Sequence, residues 1–295
     1  MRHLFEDVAM DITNINHVGM IARDLEDVTR RYEAMGFMLT PYSPHSAAWK
    51  PGEPVQPQGS GNRCVMFADN YLEILASENP SKPAERMTNF LRHHQGGHII
   101  CFDSDDCNAV DRRLHAAGIE TSGVIPLQRE IDTPGGVRTA RFERVQFAPK
   151  DTPEGYIQAA RHLTPDYIYQ PRYIAHPNGA TRLAETYIVA LDAGEMAQRY
   201  ATYLGAPPVR LQRSFQFRLP RDTLLNILPV DHASVVLPGT LLPPLPGIAA
   251  VSFTIENLGA QALRLASAGF TVVNVANSLL VPAEETCGLA VMFST

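Results

Sequence analysis

The chain has little of what marks a membrane-spanning, secreted or nucleic-acid-binding protein. No apolar run approaches the roughly 20 residues that a helix needs to cross a bilayer. No run of Lys or Arg offsets a formal net charge of −6, which argues against a nucleic-acid or anionic-membrane surface. Met1 to Met10 carry Glu6 and Asp7 and lack an apolar core, so neither a signal peptide nor an anchor is expected there. Cysteines are few (Cys64, Cys101, Cys107 and Cys287), with no Cys-x-x-Cys pair. Three fall in predicted strands or helices, where a free thiol behaves as a small hydrophobe. A reduced, cytoplasmic protein is the expectation.

What is present is ordinary in composition. Hydrophobic residues make up 45% and charged residues 19% of 295, enough for two domains or one large barrel. Prolines gather at Pro41–Pro57, Pro165–Pro177 and Pro238–Pro246, which read as loops between modules.

One pattern recurs four times. A short apolar strand is followed by Asp or Asn, able to accept from the free N–H groups of a helix start. A helix of about three turns follows, closed by Gly, which tolerates the left-handed conformation at a helix end. The caps and stops are Asp24 and Gly36, Asp105 and Gly118, Asp192 and Gly205, Asn257 and Gly269. Helical spacing gives each copy one inward face. Leu25, Val28, Tyr32 and Met35 match Cys107, Val110, Leu114 and Ala117 in the second copy. The third has Ala193, Met196, Tyr200 and Tyr203, and the last has a polar intruder at Gln261. After each helix the apolar period changes towards two, as in Tyr71–Leu75, Arg141–Phe147 and Leu224–Leu228, which predicts strands. The fold class is therefore α+β: four βαβββ modules paired into two incomplete barrels. Residues 1–165 form the first pair. Residues 166–295 supply a linker, centred on Thr164–Gly179, and the second pair.

Chemistry concentrates in the first pair. His17 and His98 each lie seven residues before the predicted cap, Asp24 or Asp105. Tyr71-Leu72-Glu73 places a carboxylate inside an apolar strand, where it needs a cation or strong donors. Tyr156-Ile157-Gln158 is its counterpart in the second module. Two imidazoles and a carboxylate, with the Gln158 amide oxygen as fourth candidate, suit one divalent ion with open positions: Mn(II), Fe(II), Ni(II), Co(II) or Zn(II). Taken singly, each histidine is better read as a core residue bonded to backbone; the set argues for metal. Thr186, Ala250 and Asn226 occupy the corresponding places in the second pair, which is expected to hold no metal and to act as a structural half, a lid or a dimer surface. Asn62 and Arg63 follow the Gly59-Ser60-Gly61 turn as candidate substrate contacts, Arg63 for a carboxylate or phosphate. His45 and Trp49 read as filler of a Pro-rich loop. His162 and His176 read as structural, and His93 and His94 as an exposed rim.

The segments INHVGMIARDLEDV, GNRCVMFADNYLEILA and GGHIICFDSDD resemble the vicinal-oxygen-chelate superfamily, and within it the glyoxalase-like branch, over residues 12–182. The superfamily includes glyoxalase I, methylmalonyl-CoA epimerase, extradiol dioxygenases, and the bleomycin and fosfomycin resistance proteins. The resemblance implies metal ligands from the first and last strands of paired units, at His17, Glu73, His98 and Gln158. It also implies a catalytic carboxylate. Glyoxalase I and the epimerases have Glu where this chain has Gln158, and Gln accepts no proton at neutral pH. Three functions follow: a lyase or isomerase stabilising an oxyanion on a small oxygenated substrate, with Glu73 catalytic; a non-haem Fe(II) extradiol-type dioxygenase using His17, Glu73 and His98; or a small-molecule binding or resistance protein without chemistry.

Overall fold

Runs of β-branched and aromatic residues at period two settle as strands in a computed structural model that describes residues 10–47, 56–79, 81 and 84–295. The first unit comprises β1 (Ile12–Ile21), α1 (Leu25–Ala34), β2 (Ser43–Ala47), β3 (Gln56–Met66) and β4 (Tyr71–Ser77). A helix outside the four-copy pattern, α2 (Glu85–His93), precedes the second unit. That unit has β5 (Gly96–Ser104), α3 (Cys107–Ala116), β6 (Thr121–Thr133), β7 (Gly136–Phe147) and β8 (Tyr156–His162). After the short α4 (Pro165–Ile168) come β9 (Ala180–Ala190), α5 (Ala193–Leu204), β10 (Val209–Leu211), β11 (Ser214–Arg218) and β12 (Leu224–Pro229). Helix α6 (Val230–Val236) leads to β13 (Gly247–Ile255), α7 (Leu258–Ser267), β14 (Val273–Val275), β15 (Ser278–Val281) and β16 (Ala290–Ser294). Trp49 and the first nine residues lie outside the described residues.

Every unit uses one pairing rule. Its first strand runs parallel to its last, as β1 does to β4 and β5 to β8, while the strands between pair antiparallel. First strands of consecutive units then meet antiparallel: β1 with β5, and β9 with β13. A single contact, Gly97 with Ile248, joins the two halves into one sheet. Close approach makes this junction possible. A Cβ on Gly96 would lie 2.1 Å from the Gly288 carbonyl oxygen, so only glycine lets the backbones meet.

The helix faces pack as their spacing predicts. Val28, Tyr32 and Met35 of the first copy are buried, as are Met196, Tyr200 and Tyr203 of the third, in one core that spans both halves. Buried Gln261 earns its place by a hydrogen bond, donating Nε2 to the Met35 carbonyl at 2.9 Å and tying α7 to the end of α1. Ala117 and Ala268 are exposed instead. Three caps are as expected: Asp24, Asp192 and Asn257 each accept from helix N–H groups. The second is displaced. Asp106, not Asp105, accepts from Asn108 and Ala109, while Asp105 faces Arg221 at 3.5 Å.

Candidate metal centre

That one-residue displacement decides the site. Counted from Asp106, the residue equivalent to His17 is Ile99, not His98. The ladders say the same. On β1, His17 faces Cys101 and Gly19 faces Ile99; on the flanking strands, Gly19 neighbours Glu73 and Cys101 neighbours Gln158. A pseudo-two-fold between β1 and β5 thus exchanges His17 with Ile99 and Glu73 with Gln158. Ile99 covers the cavity face, since a Cβ on Gly19 would come within 2.8 Å of the Ile99 Cβ.

His98 is the extra residue of a bulge, because Gly97 pairs with Met20 and Ile99 with Gly19. Its ring turns to α2. There it stacks on His94 at 4.0 Å between ring centroids and bonds the His94 carbonyl through Nε2 at 2.9 Å. Burial first, then His94, lowers its pKa to about 4 despite that bond. The structure therefore does not bring His98 to His17 and Glu73, and among the described residues no three His, Cys, Asp or Glu side chains converge on one point. His94, expected on an exposed rim, is half-buried in this stack, whereas His93 is exposed.

His17 and Glu73 do meet. They line a cavity of about 660 Å³ together with Gln158, and His17 Nε2 lies 3.8 Å from Glu73 Oε2. Asn16 sets the tautomer. Its Nδ2 donates to Asp103 and to the Tyr169 hydroxyl, so its Oδ1, 2.8 Å from His17 Nδ1, accepts that N–H. The Nε2 lone pair is then left facing a carboxylate. Burial, opposed by Glu73 and aided by Arg129, lowers the His17 pKa to about 4, so the ring is neutral near pH 7. Burial disfavours ionised Glu73, but His17, His45, an N–H from Asn62 and Arg129 outweigh it and hold the carboxyl below its usual range. Two acceptors face each other without a proton between them. The Gln158 Oε1 is buried and has no hydrogen-bond partner among the described residues.

This donor set fits a divalent cation. One imidazole, one carboxylate and one orphaned amide oxygen border one space, and the imidazole's second nitrogen is tied to an amide oxygen, the support that metal-bound histidines need. The second half cannot repeat it. The equivalents of His17 and Glu73 in the third unit are Glu185, rather than the expected Thr186, and Asn226, and these bond each other at 2.7 Å. In the fourth unit the corresponding residues are Ala250 and Met292.

The other candidates divide. Asn62 reaches the site and orients Glu73. Arg63 does not: it bonds the Thr40 carbonyl and lies near Glu26 of α1, outside the cavity lining. His45 is no loop filler; it sits in β2, lines the cavity and bonds Ser60 Oγ at 3.1 Å through Nδ1. Its strand, Ser43–Ala47, carries Pro44 within a poor β sequence, so no local signal marked it. His176 is structural, its Nδ1 accepting from Met38 N–H and its Nε2 donating to the Met66 carbonyl. His162 packs between Phe142 and Tyr169. Arg129, on β6, enters the cavity unheralded.

Paired βαβββ units that enclose a polar cavity under their first strands define the vicinal-oxygen-chelate class. The model of the glyoxalase-like domain matches residues 15–204, and the chain belongs to that family. Solved structures agree on the fold. A hypothetical protein from Staphylococcus aureus superposes with a TM-score of 0.63 at 12% identity, over 96% of this chain and 99% of that one. A mutant 4-hydroxymandelate synthase from Streptomyces coelicolor gives 0.58 at 11% identity, over 96% and 92%. The Mn(II)-bound glyoxalase from Novosphingobium aromaticivorans gives 0.55 at 13% identity, over 96% and 82%. A search of curated proteins finds no match. No helix among the described residues is long and apolar enough to cross a membrane.

Proposed function

We propose that the chain is a metal-dependent enzyme of lyase or isomerase type, acting on a small oxygenated substrate in the cavity above His17 and Glu73. The observation that carries this reading is the facing pair of acceptors, His17 Nε2 and Glu73 Oε2, 3.8 Å apart. A divalent ion between them, of the kind named for the Novosphingobium glyoxalase, would supply Lewis-acid polarisation of adjacent substrate oxygens.

The chain's own groups do the rest. Asn16 keeps the His17 proton on Nδ1, so Nε2 stays available as a donor of electrons. Asn62 fixes one Glu73 oxygen and leaves the other turned towards His17. Gln158 offers an amide oxygen and no basic site. Proton transfer therefore falls to Glu73 or to His45, whose ring burial keeps below the ordinary imidazole pKa and hence neutral near pH 7. The dioxygenase reading relied on His98 as second imidazole, and the bulge in β5 counts against it.

The test is metal content. Elemental analysis of protein purified without added metal, with Mn(II) titration, should give one ion per chain, held by residues 1–165. Glu73→Ala should lose it while substitutions at Thr186 and Ala250 keep it. A wild type that binds no divalent ion refutes the reading and favours a binding protein.

A further inference from the structure

We propose that Arg129 is the anchor for an oxyanion on the substrate, so that the cavity takes a carboxylate- or phosphate-bearing molecule. The inference rests on the reading of this cavity as the substrate site, and is independent of which ion it holds.

Position comes first. Arg129 lies in β6 and lines both the 660 Å³ cavity that contains His17 and Glu73 and an adjoining cavity of about 310 Å³. It forms part of the wall of each. Its guanidinium carbon is 5.6 Å from the Phe142 ring centroid, a stacking that fixes the head without consuming its in-plane N–H groups. Its Nε is buried and has no hydrogen-bond partner among the described residues. A buried donor left unpaired costs about 1–3 kcal/mol, and an arriving oxyanion would remove that cost. Guanidinium geometry suits the role, since parallel N–H donors match the two oxygens of a carboxylate or phosphate.

Charge balance points the same way. Arg86 and Arg144 also line the larger cavity, and none of the three arginines has an ion-pair partner among the described residues. Arg144 donates to the Tyr156 hydroxyl at 2.8 Å, and Arg86 lies over the Tyr156 ring at 5.4 Å. Against them stand Glu73, committed to Asn62 and His17, and Glu130, which accepts from Thr139. The positive influence of Arg129 reaches His17, His45 and Glu73, which places it within range of the reacting centre. Three guanidinium groups against two carboxylates, both already engaged, make a cavity built to receive negative charge. The adjoining cavity, walled by Tyr71, Tyr167, Tyr173, Met66 and Ile168, would take the apolar remainder.

The experiment measures binding of benzoate and of inorganic phosphate by calorimetry, to full-length protein freed of metal with a chelator. Wild type should bind at least one of them, one per chain, and Arg129→Gln should bind it at least about tenfold more weakly, the loss of a charge-assisted pair. Arg63→Gln should bind as wild type does. Benzoate alone bound assigns a carboxylate; phosphate bound assigns a phosphate. Should Arg129→Gln not fold, phenylglyoxal labelling of wild type replaces it, and Arg129 should be protected by the bound anion. Binding of neither anion, equal binding by Arg129→Gln, or labelling of Arg129 unaffected by anion overturns the proposal. Mn(II) titration of the same samples keeps the two readings apart: anion binding without metal binding refutes the metal reading alone.

Discussion

Substituting Ile99→His should create the second imidazole that the fold has room for and this sequence lacks. Ile99 occupies the symmetry position of His17, lies over Gly19, and is buried against Ile21, Leu75 and Met87. Removing that aliphatic side chain and burying a polar ring should cost the metal-free protein about 2 kcal/mol, a drop of several degrees in melting temperature. The new ring would complete a set of His17, Glu73 and a second imidazole, with Gln158 beside it. Two decades of added Mn(II) affinity correspond to about 2.7 kcal/mol, enough to restore wild-type stability at saturating metal. Calorimetry with Mn(II), paired with thermal unfolding with and without metal, reads both quantities. His98→Ala serves as the control and should leave Mn(II) affinity within about twofold of wild type, since its ring engages His94 rather than the cavity. If Ile99→His binds Mn(II) no more tightly, or His98→Ala abolishes binding, the assignment of equivalent positions is wrong.

Further outcomes follow from the same geometry. Asp106→Ala should destabilise the protein by about 1 kcal/mol through loss of the α3 cap, whereas Asp105→Ala should be near neutral; urea unfolding compares them. Gln158→Glu should retain the ion and move the pH optimum of the reaction upward, because an added anionic ligand makes metal-bound water less acidic; an unshifted pH–rate profile at full activity would place Gln158 away from the ion. Acid should weaken the fold through two buried histidines. Burial lowers His98 to about 4 and His162 to about 3, whereas the unfolded chain takes these protons near the ordinary value of 6.5. Their stabilising contribution is thus intact above about 6.5 and lost as pH falls towards 4, at about 1 kcal/mol per pH unit for each group. Urea midpoints between pH 7 and 5 check this, and His162→Phe should flatten the slope; an unchanged slope in that variant would contradict the burial argument.

How much was legible in the sequence follows from the range of each interaction. The four helices were readable because caps, glycine stops and apolar faces are local: Asp24 and Gly36 bracket the ten-residue helix on which they report. Tyr-Leu-Glu and Tyr-Ile-Gln could be aligned for the same reason, and the ladders place Glu73 and Gln158 as counterparts. The second imidazole was lost to an ambiguity of one residue. Ser104-Asp105-Asp106 offers two adjacent caps, and only the packing of α3 selects the later one, moving the equivalent position from His98 to Ile99. A strand alternates faces every residue, so such a slip changes what faces the cavity. His45 and Arg129 depended wholly on tertiary structure, because β2 and β6 come from different units and carry no motif of their own. The sequence determined the repeat, its four helices and His17 with Glu73 as partners in one candidate site; long-range pairing of strands decided which other side chains share the cavity.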